Sequence, residues 1–180
     1  MATNWKKFYT DKIRADLMKT HNFKNVMEVP TIEKVSINAG VGDATKDVKY
    51  IESMVNEITA ITAQKPIMTQ SKKAIAGFKL RENQNVGVKV TLRGKKMWNF
   101  IANFINVALP RTKDFKGFNK NSFDALGNCS IGVKEQIIFT EINYDHIKRI
   151  RGFDVTFVLS TNDKAIAKEV LVSIGLPFRK

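Results

Sequence analysis

Residues 86–109 read VGVKVTLRGKKMWNFIANFINVAL, and their periodicity changes once along this stretch. Up to Arg93, apolar and polar residues alternate, as in a β-strand with one buried and one polar face. From Met97 onward, apolar residues recur every three or four positions, which predicts an amphipathic helix. The apolar stripe of this helix comprises Met97, Phe100, Ile101, Phe104, Ile105 and Ala108. A strand followed directly by a helix predicts a fold that contains both types of element.

The same two patterns recur on both sides of this stretch. Alternation predicts strands around residues 35–39, 67–69, 130–138 and 153–159. Helical spacing predicts helices through residues 5–17 and 48–61, and a last helix that Asn162 or Asp163 caps and that Gly175 and Pro177 close. Because no repeat or linker separates two halves, the sequence predicts a single α+β domain over residues 1–180. Its expected architecture is a mainly antiparallel sheet with helices packed on one face.

Residues 71–85, SKKAIAGFKLRENQN, show neither periodicity and are interpreted as a long loop. Long loops inside compact domains are usually functional or disordered. This loop contains Gly77 and one aromatic residue, Phe78, so its tip can insert against another molecule or fold back onto its own domain. The sequence leaves both alternatives open.

The chain is strongly basic: 30 Lys and Arg residues against 17 Asp and Glu residues give a net charge of +13 over 180 residues. The excess is localised, because residues 72–96 contain eight basic residues and a single acidic one, Glu82. Residues 43–63 instead contain four acidic and two basic residues. Such a balance favours a polyanionic partner, nucleic acid first and an anionic membrane surface second.

The membrane alternative is weakened by the rest of the sequence. No apolar run approaches the roughly 20 residues needed to span a bilayer, and the N-terminus has no uninterrupted apolar segment of the kind found in signal peptides. A single cysteine, Cys129, cannot form an internal disulfide, which fits a reducing cytosol. The sequence therefore predicts a cytosolic polyanion-binding protein.

Two of the predicted strands carry polar and basic side chains on one face: Lys34, Ser36 and Asn38 in the first, and Lys89, Thr91 and Arg93 in the second. If helices cover the opposite face, these side chains form a flat, positive surface that is open for RNA. Phosphates and 2′-hydroxyls across a wide RNA minor groove suit such a surface. The alternative for any single strand is a solvated sheet face, but two matching strands in so basic a chain favour RNA binding.

The sequence gives little support for a catalytic or metal-binding site. His21 and His146 share no motif with each other or with Cys129, whereas metal sites bring spaced clusters of ligands. Gly40-Val41-Gly42 precedes a helix, but no complete phosphate-binding fingerprint accompanies it, so we interpret it as a turn. Cys129 is interpreted as a packing residue. The sequence predicts neither an enzyme nor a cofactor.

Strings along nearly the whole chain match a known family. In the N-terminal half they are VPTIEK (29–34), INAGVGD (37–43), QKP (64–66), KKAIAGFKLR (72–81) and KVTLRG (89–94). In the C-terminal half they are LPR (109–111), DF (114–115), SFD (122–124), GN (127–128), GVKEQ (132–136), RG (151–152) and GLPF (175–178). By these strings the chain resembles the bacterial large-subunit ribosomal protein number five, the 5S-rRNA-binding family. The N-terminal part of the family would cover about residues 24–80, and its C-terminal part about residues 84–178.

The resemblance implies a structural constituent of the large ribosomal subunit that helps attach 5S rRNA in the central protuberance. It implies rRNA binding by the sheet face, at Asn38, Gln64, Lys89, Thr91 and Arg93. A contact with P-site tRNA is implied for the loop of residues 71–85, which we call the basic loop. Its contact residues would be Lys72, Lys73, Gly77, Phe78, Lys79 and Arg81. An intersubunit bridge to a protein of the small-subunit head is implied at Arg111, Lys113, Asp114 and Phe115. Further implied partners are large-subunit rRNA and neighbouring large-subunit proteins, in the cytoplasm and without a membrane.

Two other classes of function remain as alternatives. The first is a free-standing RNA chaperone or RNA-binding regulator, and the second is an enzyme acting on RNA. An enzyme should display a carboxylate cluster, a cofactor loop or a set of metal ligands, and none is visible in the sequence. Sedimentation on a sucrose gradient separates a ribosomal constituent from a regulator, because only a constituent should travel with the large subunit in high salt.

Overall fold

The computed structural model describes residues 5–42, 47–113, 115–144 and 147–179. Its strands are Ile32–Gly40 (β1), Ile67–Gln70 (β2), Asn85–Leu92 (β3), Cys129–Val133 (β4) and Phe153–Leu159 (β5). They form one open antiparallel sheet in the order β2-β3-β1-β5-β4. The predicted α+β class with a mainly antiparallel sheet is therefore confirmed.

The α-helices are Trp5–Phe8 (α1), Arg14–His21 (α2), Lys49–Thr62 (α3), Gly94–Asn103 (α4) and Lys164–Ile174 (α5). A π-helical turn, Tyr9–Ile13, joins α1 to α2, and a second one, Phe104–Ala108, continues α4. Of the two capping residues that the sequence offers for α5, Asp163 is used: its carboxylate accepts a hydrogen bond of 2.8 Å from the backbone N–H of Ala165. Gly175 ends α5 with φ +105°, a conformation that glycine adopts without strain.

The chain forms two compact units, each assembled from separate segments. The first unit comprises Met1–Val35, Arg93–Ile131 and Thr156–Lys180, and the second comprises Ser36–Leu92 and Gly132–Val155. The expectation of a single domain over residues 1–180 stays a prediction.

The core of the first unit gathers around α4 and the π-helical turn that follows it. Tyr9 packs against Trp98 with ring centroids 5.2 Å apart, and Phe104 packs against Phe157 of β5 at 6.2 Å. The apolar stripe predicted for α4 is buried at Met97, Phe100, Ile101, Phe104 and Ala108, while Ile105 is partly exposed. Burial of this stripe supplies most of the hydrophobic stabilisation that the helix can contribute.

In the second unit, α3 packs on β3 and β2. These two strands pair in an antiparallel hairpin, in which Ile67 lies opposite Lys89 and Thr69 lies opposite Gly87. A Cβ atom on Gly87 would lie 2.8 Å from Thr69 Oγ1 and 2.9 Å from the Ala39 carbonyl oxygen, so only glycine fits there without displacing a neighbouring strand. The apolar face of α3 is buried at Ile51, Met54, Val55, Ile58 and Ile61.

A strand boundary and a buried helix position differ from the sequence-based expectation. The strand predicted over residues 130–138 ends at Val133, because the backbone N–H of Gln136 donates to the Arg151 carbonyl oxygen at 3.0 Å and the chain leaves the sheet in a 3₁₀ turn, Gln136–Ile138. In the N-terminal helix, the spacing of Trp5, Phe8, Ile13 and Leu17 predicts a buried Phe8, but Tyr9 is buried instead and Phe8 is partly exposed. The wider π-helical turn rotates the buried face relative to a continuous α-helix.

Candidate nucleic-acid interface

The polar sheet face lies on β1 and β3, which are neighbours in the sheet. Asn38 and Lys89 are exposed and Thr91 is partly exposed. The residues between them along each strand are buried: Ile37 and Ala39 in β1, and Val88, Val90 and Leu92 in β3. Because side chains alternate across a strand, Asn38, Lys89 and Thr91 share the face opposite the buried one. The predicted orientation of these three residues therefore agrees with the structure.

Gln64 is held beside this face by its own side chain. It follows Ala63, which ends α3 in the left-handed conformation with φ 51°. The Gln64 side-chain amide donates to the Thr91 carbonyl oxygen at 3.2 Å. Within the second unit the structure thus places Gln64 next to Thr91, and Thr91 shares a polar sheet face with Asn38 and the cation Lys89.

Arg93 lies just beyond the end of β3 and belongs to the first unit. It is exposed, and its extended backbone (φ −140°, ψ 163°) precedes α4. The strand that the sequence extends to Arg93 therefore ends one residue earlier. Lys95 and Lys96 in the first turn of α4 are also exposed, and this turn contains no acidic residue.

The basic loop connects β2 to β3 and is closed at its base by hydrogen bonds. The backbone N–H of Ser71 donates to the Gln84 carbonyl oxygen at 2.9 Å, and the Asn83 N–H donates to the Ser71 carbonyl oxygen at 3.0 Å. The Ser71 hydroxyl donates to the Arg81 carbonyl oxygen at 2.6 Å. These bonds use backbone groups and the Ser71 hydroxyl, so the base of the loop is held without the exposed side chains of the loop.

The tip of the loop projects from the second unit. Ile75 and Leu80 exchange two backbone hydrogen bonds of 2.9 and 3.1 Å around a 3₁₀ turn, Ala76–Phe78. Phe78 is 76% exposed, so it is not folded back onto a core. The loop residues singled out in the sequence are all exposed: Lys72, Lys73, Gly77, Phe78, Lys79 and Arg81.

The segment expected to form the intersubunit bridge lies in the first unit. Arg111 and Lys113 are exposed, and Asp114 lies outside the described residues. Phe115 is partly exposed and packs edge-on against Phe118, with ring centroids 5.0 Å apart.

Sequence reasoning missed a buried polar network in the second unit. Glu57 on α3 is 8% exposed, and its carboxylate accepts hydrogen bonds from the Ser53 hydroxyl at 2.8 Å and from the Gln136 side-chain amide at 3.3 Å. The Gln136 amide also donates to the Arg149 carbonyl oxygen at 2.8 Å and accepts from the Arg151 N–H at 2.5 Å. Gln136 thus ties α3 to residues 149–151. The sequence feature that could have indicated this network is Glu57 itself, an acidic residue within the apolar stripe of α3.

Burial raises the pKa of Glu57 above its ordinary value of 4.5, although the hydrogen bonds from Ser53 and Gln136 and the charge of Arg151 oppose this. The pKa of Glu57 is therefore higher in the folded state than in the unfolded state. At a pH between these two pKa values the folded state binds more protons than the unfolded state. The contribution of Glu57 to the free energy of unfolding therefore falls as pH rises through this range. We therefore expect Glu57→Gln to gain stability relative to wild type as pH rises from 4.5. Urea unfolding over a series of pH values measures the difference, with Glu52→Gln on the exposed face of α3 as the control. A pH-independent difference for Glu57→Gln would contradict the expectation.

The described residues contain no group of three or more His, Cys, Asp or Glu side chains that could hold a metal ion. His21 pairs with Glu169, with Nε2 and Oε2 2.6 Å apart, and His146 lies outside the described residues. Cys129 is buried, and burial raises the pKa of its thiol to about 12, which fits a packing role. In the part of the chain that the structure describes, every helix is too short or too polar to cross a membrane.

Comparison with known proteins defines the class. The sequence model described as "Ribosomal protein L5" matches residues 25–81, and the model for the C-terminus of the same ribosomal protein family matches residues 85–178. Large ribosomal subunit protein uL5 of Mycoplasma pneumoniae is 52% identical over 177 residues, which cover 98% of both chains. The protein of that name from Ureaplasma parvum is 51% identical over 97% of this chain and 95% of its own. The one from Spiroplasma kunkelii is 48% identical over the full length of both.

These matches define a protein class, the structural and non-enzymatic constituents of the large ribosomal subunit. Within that class, the chain belongs to the uL5 family. Membership places it in the ribosome, in the cytoplasm, with ribosomal RNA and other ribosomal proteins as partners.

Proposed function

We propose that this protein attaches 5S rRNA in the central protuberance through the open face of its sheet. The observation that carries the proposal is the alternation on β1 and β3, which exposes Asn38 and Lys89 while the intervening apolar residues are buried. Gln64 and Thr91 supply hydrogen-bonding groups next to that cation, and Arg93 adds a second exposed cation just beyond β3. Such a surface reads the shape and backbone of RNA rather than its base edges.

Two further contacts belong to this proposal. The basic loop reaches P-site tRNA, because its cations are exposed on a projecting hairpin whose base is closed by backbone bonds. The segment with Arg111, Lys113 and Phe115, together with Asp114 outside the described residues, bridges to a protein of the small-subunit head. Large-subunit rRNA and neighbouring large-subunit proteins complete the expected partners.

Removal of either sheet cation tests the 5S rRNA contact. We expect Lys89→Ala and Arg93→Ala each to weaken 5S rRNA binding and to reduce the slope of log K against log salt by about 0.7–0.9, since each lost phosphate contact removes one counterion-release step. Both side chains are exposed, so the free energy of unfolding should change by no more than about 0.5 kcal/mol. Filter binding across a salt series gives the slope, and Lys19→Ala on the exposed face of α2 is the matched control. Wild-type binding by both sheet variants would show that another surface holds 5S rRNA.

A further inference from the structure

A cluster of phenylalanines at the surface of the first unit contains none of the residues assigned to the contacts proposed above, although its Phe118 packs against Phe115. Phe123 stacks on Phe178 with ring centroids 5.6 Å apart, and Phe178 meets Phe118 edge-on at 6.4 Å. All three rings are partly exposed. Side chains of this size are normally placed in a core, so a partly exposed group of them suggests a surface that another molecule covers.

Basic residues lie close to these rings along the chain. Lys116, Lys120 and Arg179 are exposed. The Arg179 Nε–H donates to the Gly117 carbonyl oxygen at 3.0 Å, and this bond holds the guanidinium at the surface next to Phe118. We call Phe118, Phe123, Phe178, Lys116, Lys120 and Arg179 the aromatic–basic surface.

The backbone under this surface is fixed although it contains little regular structure. The Phe118 N–H donates to the Pro177 carbonyl oxygen and the Arg179 N–H donates to the Phe118 carbonyl oxygen, both at 2.9 Å. The Ser130 N–H donates to the Ser122 carbonyl oxygen at 3.0 Å, which ties the other side of the segment to β4. A surface that is ordered before binding loses less conformational entropy when a ligand arrives.

Asp124, which follows Phe123 in the described part of this segment, is already hydrogen-bonded. Asp124 accepts hydrogen bonds from the backbone N–H groups of Leu126 and Asn128 and from the Asn128 side chain, at 2.8–2.9 Å. The bond from the Asn128 side chain is the main reason that the pKa of Asp124 is lowered. The Asp124 carboxylate is therefore bonded within its own turn. The exposed side chains of Lys116, Lys120 and Arg179 can then interact with a partner.

From this combination we propose that the aromatic–basic surface binds an unpaired segment of ribosomal RNA. Bases stack on aromatic rings, and lysine and arginine side chains contact the phosphates that join them. The cations select a polyanion, and the rings select one with flat apolar groups, which favours RNA over an acidic protein segment. This RNA contact goes beyond the proposed sheet contact, because it lies in the first unit and uses stacking.

Two variants separate stacking from charge. Phe123→Leu keeps apolar volume and removes the aromatic face, while the double variant Lys116→Ala/Lys120→Ala removes two exposed charges without touching the rings. The probes are a short oligoadenylate and an abasic ribose-phosphate oligomer of the same length, each bound to the full chain. The control is Lys19→Ala/Lys24→Ala, which changes the net charge equally at exposed positions elsewhere in the first unit.

We expect Phe123→Leu to weaken oligoadenylate binding about fivefold or more and to leave abasic binding unchanged, since one stacked base is lost. The double lysine variant should weaken both probes and flatten their salt dependence, beyond the effect of the control. Wild-type binding of oligoadenylate by Phe123→Leu would overturn the proposal, whatever Lys89→Ala shows with 5S rRNA. Oligoglutamate binding that depends on Phe123 more strongly than oligoadenylate binding does would also overturn it and identify a protein-binding surface.

Discussion

Replacing Phe104 by alanine is expected to lower the free energy of unfolding by about 3–5 kcal/mol. The Phe104 side chain is fully buried, and its ring lies 5.8 Å from that of Phe100, 6.4 Å from that of Phe118 and 6.2 Å from that of Phe157. Aromatic rings on three sides cannot all move into the space left by a deleted ring, so a cavity remains. RNA binding should then fail through unfolding rather than through loss of a contact.

Chemical denaturation of the wild-type and variant proteins measures this loss. The matched control is Phe78→Ala, the same substitution at a ring that is 76% exposed, which should change stability by no more than about 0.5 kcal/mol. RNA binding by Phe104→Ala should recover at lower temperature, where the folded fraction increases. An unchanged midpoint for Phe104→Ala would mean that the ring is not part of the core.

Local periodicity accounts for the parts of the fold that the sequence predicts well. The burial of Val88, Val90 and Leu92 and the exposure of Lys89 follow from a period of two, which neighbouring residues alone determine. The stripe on α4 likewise follows from local spacing, and Phe104 lies at its buried centre. For the same reason the candidate sheet residues Asn38, Lys89 and Thr91 could be assigned to one face from the sequence.

Contacts between residues distant in the chain account for what the sequence does not show. The strand that alternation extends to residue 138 ends at Val133, because the backbone N–H of Gln136 donates to the carbonyl oxygen of Arg151, which is distant in the chain. The side chain of Gln136 also bonds Glu57, 79 residues away. The position of Gln64 depends on a bond to Thr91, 27 residues away. Phe178 joins Phe123 in the aromatic–basic surface only because the C-terminal residues pair with the segment around Phe118.

Backbone hydrogen bonds, rather than composition, also decide how the basic loop is presented. Glycine and lysine content alone allows the loop to project or to fold back. The paired backbone groups of Ile75 and Leu80 extend the hairpin beyond β2 and β3, and the bonds of Ser71 close its base. The side chains at the tip can therefore be changed while the loop backbone keeps its shape.

Because the backbone bonds hold the loop, the proposed tRNA contact can be tested by changing the side chains of the loop alone. Lys72→Ala, Lys73→Ala, Lys79→Ala and Arg81→Ala combined should weaken retention of P-site tRNA on ribosomes reconstituted with the variant. Each cation that contacts a phosphate contributes about 0.7–0.9 to the slope of log K against log salt, so the variant should bind tRNA with a flatter salt dependence. Filter binding of tRNA across a salt series measures both effects.

The same four substitutions should leave folding and 5S rRNA binding nearly intact. The changed side chains are exposed, and the loop bonds around Ser71 and Ile75 involve the backbone of these positions or other residues. Lys19→Ala, Lys24→Ala, Lys164→Ala and Lys168→Ala combined remove the same charge from helices and a turn of the first unit, and should retain tRNA like wild type. Equal tRNA retention by the loop variant would refute the contact. The loop variant keeps all the residues proposed to bind 5S rRNA: Asn38, Gln64, Lys89, Thr91 and Arg93. Loss of 5S rRNA from ribosomes that contain this variant would therefore show that the loop also contributes to 5S rRNA binding.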